Sequence, residues 1–315
     1  MKLFVTGGSG YVGESLLRQL SEAGHESRVL SREAEPARTR LTRIPGVYPV
    51  RGDLTAYSID QLASLMQKQE GVIHLVGVIV EKGSAGFEAV HIEGTRRVLE
   101  AAKQAGAKRF LHISALGARE NATARYHKTK WVAERFVRES GLDWTIFRPS
   151  VIFGEGDAFL NTFAGIAQRS PLLPVIGPGR RKLQPIWVED VCRCFVRALG
   201  RPGTAGHIYE LGGDKAYALE DLLRMVARAM GKRRGLVHLP IPLARLQAKL
   251  FDLLPIKPPF TEEQITMLGE DNMCDIGPMK EAFGLAPRPL EDYLGERFGG
   301  GAGRAAPRPA MGPRR

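Results

Sequence analysis

The stretch Lys2 to Gly13, KLFVTGGSGYVG, constrains this chain more than any other. Leu3, Phe4 and Val5 form an apolar run long enough for one buried strand of a parallel sheet. The run breaks at Thr6-Gly7-Gly8-Ser9-Gly10, and from Tyr11 the spacing of Val12, Leu16, Leu17 and Leu20 is that of one helix face. Strand, glycine-rich turn and helix together are the setting a dinucleotide fingerprint requires. Gly7 then supplies the tight turn, Gly10 admits a pyrophosphate close to the backbone, and Gly13 lets the helix pack near the strand. The phosphates rest on free N–H groups at the positive end of the helix. Thr6, Gly7, Ser9, Gly10, Tyr11, Val12 and Gly13 are therefore expected cofactor contacts.

The chain beyond this loop alternates strands and helices. Ser27 to Ser31 reads as the second strand, ending on Ser31-Arg32 where an NAD site commonly carries an acid for the ribose 2′-hydroxyl. A hydroxyl and a guanidinium suit a 2′-phosphate instead, so NADP(H) is favoured and NAD(H) remains open. Val47 to Val50 is a third strand, followed by Asp53 and Leu54 at the adenine end. Asp53 can accept from the adenine amino group or cap the helix that begins near Ser58. Gly71 to Val76 is the fourth strand, and Gly77 lets backbone pass close to a ligand. A helix spans about Phe87 to Ala105, Arg109 to Ser114 is a fifth strand, and another helix starts near Arg125. Asp143 to Arg148 is a sixth strand, stopped by Pro149. This alternation predicts an α/β fold with a doubly wound parallel sheet of the Rossmann type.

Tyr126 and Lys130 stand four residues apart, on one face of the Arg125 helix. An ammonium beside a phenol favours the phenolate, and the same lysine can bond a nicotinamide ribose. Ser114, at the end of the fifth strand, is placed to orient a substrate hydroxyl or carbonyl. His127 and Lys128 are expected on the solvent side. After residue 150 the chain is expected to build a substrate lobe from 151–184 and 214–298, returning to the sheet over about 185–213. In the lobe, Phe159 to Gln168 reads as a helix and Ser170 to Gly179 as a Pro/Gly-rich loop. Asp190, in the first turn of a later helix, favours the helix dipole or touches a ligand. Leu243, Leu246, Leu250, Phe251 and Leu254 recur at helical spacing beside Arg245 and Lys249. That stripe is a lobe helix packed on its neighbours, or a lid or membrane-facing helix that admits an apolar substrate.

The net charge of +11 raises the question of nucleic acid. Its clusters, Arg180-Arg181-Lys182, Lys232-Arg233-Arg234 and a Gly/Ala/Pro/Arg tail over 299–315 expected to be disordered, carry no interleaved aromatics. Solvated loops, or an anionic membrane surface, fit them better than RNA or DNA. Cys192, Cys194 and Cys274 form no CxxC pair, which implies reduced thiols and no metal centre. The apolar run Val72 to Val80 is too short to span a bilayer, and nothing before the fingerprint reads as a signal peptide. A cytoplasmic protein, peripheral at most to the inner face of a membrane, is expected.

Thr6-Gly-Gly-Ser-Gly-Tyr-Val-Gly13, Ser114, Tyr126 with Lys130, and Arg148-Pro149-Ser150 resemble the extended and atypical short-chain dehydrogenases/reductases, the NAD-dependent epimerase/dehydratase superfamily. The stretches HISALGA, GLDWTIFRPSVIFGEGD, QPIWVEDV and FGLAPRPLEDYL look like the branch of the complex I nucleotide-binding accessory subunit and its bacterial relatives. The resemblance implies a Rossmann domain binding NADP(H) or NAD(H), with Ser114, Tyr126 and Lys130 in the catalytic positions and Pro149 beside the cofactor. The Ser114–Tyr126 interval is shorter than extended members usually have. Two functions follow: an oxidoreductase or epimerase, acting on an apolar or quinone-related small molecule, or a non-catalytic, nucleotide-stabilised assembly protein of a membrane respiratory or quinone-synthesis system.

Overall fold

The computed structural model describes residues 1–32, 39–81, 86–252 and 260–299. The chain divides into two compact units, the first made of Met1–Pro149, Val188–Leu211 and Gly277–Leu285 and the second of the remainder. Gly277–Leu285, which the sequence reading gave to the lobe, thus belongs with the first unit. There the Gly277–Phe283 helix packs on the strand His207–Leu211, with the Phe283 ring 4.8 Å from that of Tyr209.

The first unit is built on β1 (Lys2–Thr6), α1 (Tyr11–Glu22), β2 (Glu26–Ser31), β3 (Val47–Arg51), α2 (Ile59–Met66), β4 (Gly71–His74), α3 (Gly94–Gln104), β5 (Arg109–Ile113), α4 (Arg125–Arg138), β6 (Asp143–Pro149), α5 (Val188–Leu199) and β7 (His207–Leu211). One seven-stranded sheet runs in the order β7-β6-β5-β4-β1-β2-β3, every pairing parallel. The order reverses between β1 and β4, which is the switch point where α/β sheets bind ligands. Register aligns the carboxyl ends there: Thr6 stands opposite Leu30 and His74, and His74 opposite His112.

Helices cover both faces, as an all-parallel sheet demands. On one face Phe4, Val72, Phe110 and Ile146 pack under Leu62, Met66, Val98 and Val137 from α2, α3 and α4. On the other, Phe147 meets Phe195 of α5 with ring centroids 4.3 Å apart. Each such fully buried side chain contributes about 1.5–3 kcal/mol. The helix expected from Phe87 opens instead with a π-helical stretch, Glu88–Glu93, before α3. Pro149 does not stop the sixth strand; it is its last residue, opposite Leu211.

In the second unit, Phe153, Phe163, Leu173, Leu222, Val226 and Leu294 belong to one apolar core. The expected Ser170–Gly179 loop is in fact a strand, Leu172–Ile176, paired in parallel with Gly235–Leu239. Pro174 has no N–H to give a ladder, but this strand has a single neighbour, and an edge tolerates that loss. The tail beyond residue 299 lies outside the described residues, as does Leu254.

Candidate active site

The loop between β1 and α1 is shaped so that only glycine fits. Gly7 has φ +77°, and a Cβ there would lie 2.9 Å from the backbone of Leu75 and Val76. A Cβ on Gly13 would lie 2.4 Å from the Gly7 carbonyl oxygen. Gly10 is the exposed N-cap of α1 and has no capping side chain. That cradle fits a pyrophosphate on the first turn of α1. Ser9, Tyr11 and Val12 line it half-buried, and Thr6 holds the end of β1 through a 2.6 Å bond between its Oγ1 and His74 Nδ1. One residue the sequence reading missed is Arg40, which pairs with Glu14 in that first turn at 2.7 Å.

At the end of β2 the Ser31 hydroxyl is buried and has no hydrogen-bond partner among the described residues. Arg32 beside it is exposed. The two thus offer one orphaned hydroxyl and one solvent-facing cation where a ribose or its phosphate would lie. Asp53 does not cap the next helix. Its Oδ1 accepts from the Thr55 N–H and hydroxyl at 2.8 and 2.7 Å, while Ser58 and Gln61 form the capping box of α2. Leu54 is buried in the core, so its side chain does not face a ligand.

Beyond the end of β5, Tyr126 and Lys130 both point inward from α4. Lys130 Nζ donates to the Ile113 carbonyl at 3.1 Å, which seats the ammonium against the end of β5. A Cβ on Gly77 would lie 3.0 Å from that nitrogen, so glycine leaves the room Lys130 occupies. Ser114 is buried next to Ile113; its N–H donates to Phe147 and its Oγ has no partner among the described residues. Pro149 is buried, and its carbonyl accepts from the Leu116 N–H at 2.9 Å. The expected lowering of the Tyr126 pKa does not occur here: burial pushes the phenol up to about 12. Burial pulls Lys130 down to about 8, against the opposing charge of Glu134. Desolvation outweighs the attraction that the four-residue spacing suggested.

Four histidines surround this pair, and none was read as part of it. His127, expected in solvent, is buried with its ring 5.4 Å from that of Tyr126. Lys128 is exposed, as expected. His91, from the π-helical stretch, links three segments. The Val78 N–H donates to its Nε2 at 3.0 Å, so its Nδ1–H donates to Thr129 Oγ1 at 2.9 Å. Thr129 in turn donates to the Tyr126 carbonyl at 3.0 Å. His74 bonds Thr6 and Thr95, and stacks on His112 at 5.4 Å. Both His112 nitrogens are buried without a hydrogen-bond partner among the described residues. Burial first, then the Lys130 cation, lowers His74 to about 3 and His91 to about 2. Burial likewise holds His112 well below its ordinary value.

Asp190 is buried in α5 and takes a 2.6 Å bond from Arg193. Cys192, Cys194 and Cys274 are free thiols, and no metal-binding cluster occurs among the described residues.

Residues 7–159 match the NAD(P)H-binding family and residues 117–249 the RmlD substrate binding domain. NADH dehydrogenase (ubiquinone) 1 alpha subcomplex subunit 9 of Arabidopsis thaliana is 30% identical over 303 residues, 92% of this chain and 75% of that one. Ceramide reductase of Caulobacter vibrioides is 35% identical over 241 residues, 76% of this chain and 73% of that one. UDP-glucuronic acid 4-epimerase of Bacillus cereus, solved with UDP-glucuronic acid and NAD, superimposes with a TM-score of 0.74 at 20% identity, over 95% of this chain and 98% of that one; it shows the fold. The chain belongs to the NAD(P)-binding short-chain dehydrogenase/reductase superfamily, in its epimerase/dehydratase division, alongside the complex I subunit and the ceramide reductase.

Proposed function

We propose that this protein is an NAD(P)H-dependent oxidoreductase acting at a carbonyl or hydroxyl carbon of an apolar small molecule. The observation that carries this reading is the Ser114 hydroxyl, buried and unpartnered at the end of β5, one residue from the carbonyl that holds Lys130. A buried polar atom without a partner costs free energy that a ligand's oxygen would recover. When bound, the nicotinamide supplies or accepts the hydride. Ser114 Oγ donates to the substrate oxygen and holds it against Tyr126. The Tyr126 phenol, neutral at physiological pH, gives its proton to the oxygen as negative charge builds there. That protonation state suits reduction of a carbonyl. Lys130 would hold the nicotinamide ribose and place positive charge near the forming anion. The glycine loop would hold the pyrophosphate, Asp53 would meet the adenine end with Leu54 behind it, and Gly77 and Pro149 would border the nicotinamide.

NADP(H) is the favoured cofactor, with Ser31 and Arg32 taking the 2′-phosphate. The apolar substrate is supported by the relatives: a ceramide reductase, and a 3-beta-hydroxysteroid dehydrogenase of Mycolicibacterium neoaurum at 29% identity over 270 residues, 74% of this chain and 71% of that one. NADPH oxidation measured with long-chain ketones tests the reading. Tyr126→Phe keeps the ring and removes the proton; turnover is expected to fall about 10²- to 10⁴-fold. Turnover unchanged by that substitution argues against catalysis through Tyr126.

The relatives named as complex I subunits favour a second reading, in which a tightly held nucleotide stabilises a protein of a membrane respiratory or quinone-synthesis system, at the cytoplasmic face. Released nucleotide that resists exchange and is oxidised by neither ketones nor quinones supports that reading over the first.

A further inference from the structure

The helix Ile241–Asp252 in the second unit is oriented against its own composition. Over 241–248, where its side chains are described, the buried positions are alanines: Ala244 and Ala248, at 4% and 3% exposure, pack with Ile176 and Ile265. Leu243 and Leu246 face out, at 51% and 55% exposure. A helix that only needed to pack on its own unit would place the larger side chains inward, where each buries more surface.

The apolar surface continues past the helix. Pro178, Pro240, Ile241 and Pro242 line a cleft of about 380 Å³ at its start. Two arginines stand nearby in sequence, Arg180 two residues beyond Pro178 and Arg245 on the same helix as the two leucines. Both are exposed and, among the described residues, neither has an acidic partner within 4 Å. His238, which also lines the cleft, lies 3.7 Å from Glu220. No helix of the described residues is long and apolar enough to cross a membrane.

The geometry points to this face as a docking surface for an anionic lipid bilayer. Leu243 and Leu246 enter the interface, the prolines rest at headgroup depth, and Arg180 and Arg245 meet lipid phosphate and carboxylate groups. Projecting leucines beside unpaired arginines are the footprint of a helix that lies in a bilayer surface. A protein partner or a second copy of this chain would also cover leucines. Two exposed arginines without an acidic partner among the described residues favour a surface of diffuse negative charge. Docking here does not depend on nucleotide turnover, so it stands or falls apart from the proposed activity.

The test is co-sedimentation of the full chain with phosphatidylcholine vesicles, with and without phosphatidylserine. The wild type is expected to partition onto the phosphatidylserine vesicles and to be released as salt is raised. Leu243→Ser with Leu246→Ser is expected to lower that partition about tenfold or more. Arg245→Glu is expected to remove its dependence on phosphatidylserine. Because these positions are exposed, thermal unfolding of the variants should match the wild type; a variant that unfolds early is replaced by Leu243→Gln with Leu246→Gln, read the same way. Equal partition of wild type and leucine variant overturns the proposal. So does a wild type that stays in the supernatant with both vesicles, or leucines whose loss abolishes self-association but not vesicle binding.

Discussion

At the scale of single residues, the candidate site is set by what burial does to charge. Burying a base in a low-dielectric interior favours its neutral form, and a nearby fixed cation adds to that. His74 and His91 are held neutral down to about pH 3 and pH 2 by burial and Lys130. In the unfolded chain both would take a proton near pH 6.5. Their folded pKa values are depressed, so their contribution to stability is full above about 6.5 and is lost as pH falls toward 3. Each such group adds a slope of about 1.4 kcal/mol per pH step within that window. His91→Asn removes one titrating group while keeping an acceptor for the Val78 N–H. Urea midpoints at about pH 7 and about pH 5 are expected to differ less in the variant than in the wild type, by about 2 kcal/mol in stability. An equal acid dependence would mean that His91 is charged in the folded protein.

At the scale of elements, α4 carries Tyr126 and Lys130, and β6 holds it in place. Glu134, fully buried, receives two bonds from Arg148 of β6, at 2.9 and 2.6 Å. Glu134→Ala leaves a guanidinium that is largely buried without its main partner, a loss of about 3–5 kcal/mol. It also removes the charge that supports protonated Lys130, so the lysine's pKa is expected to fall further below 8. Chemical denaturation reads the first effect, and the pH profile of nucleotide binding reads the second. Loss of less than about 1 kcal/mol would show that α4 is held by apolar packing alone. Much of this was legible in the sequence because it is local: the glycine loop, the Tyr126–Lys130 spacing and the strand-end Ser114 each lie within a few residues. What was not legible depends on distant segments. His91 meets Val78 and Thr129 across 13 and 38 residues, and no spacing rule reports that. His127 was misplaced because α4 buries adjacent positions 126 and 127, a wider face than an amphipathic pattern implies. The Leu172–Ile176 strand was hidden by prolines, whose tolerance at an edge appears only once the sheet is known.

At the scale of the whole molecule, the glycine loop after β1, the Ser31 and Ser114 hydroxyls, buried and without a partner among the described residues, and Lys130 all lie in the first unit, where the proposed dinucleotide would be held. A protein that folds around unsatisfied polar atoms gains stability when its ligand arrives, by RT ln(1 + [L]/Kd). At about one hundred times Kd that gain is about 2.7 kcal/mol. For a chain of this size it corresponds to a rise of several degrees in Tm, at about 2–4 °C per kcal/mol. NADPH is expected to produce that rise, and NADH a smaller one, because Arg32 and Ser31 would contact the 2′-phosphate that only NADPH carries. Arg32→Glu would then remove the difference by repelling that phosphate while leaving the NADH shift in place. A thermal scan of wild type and variant against both nucleotides separates the cases. Equal shifts in the wild type would assign Arg32 to the surface alone. No shift with either nucleotide would break both functional readings, since each needs the loop between β1 and α1 to hold a dinucleotide.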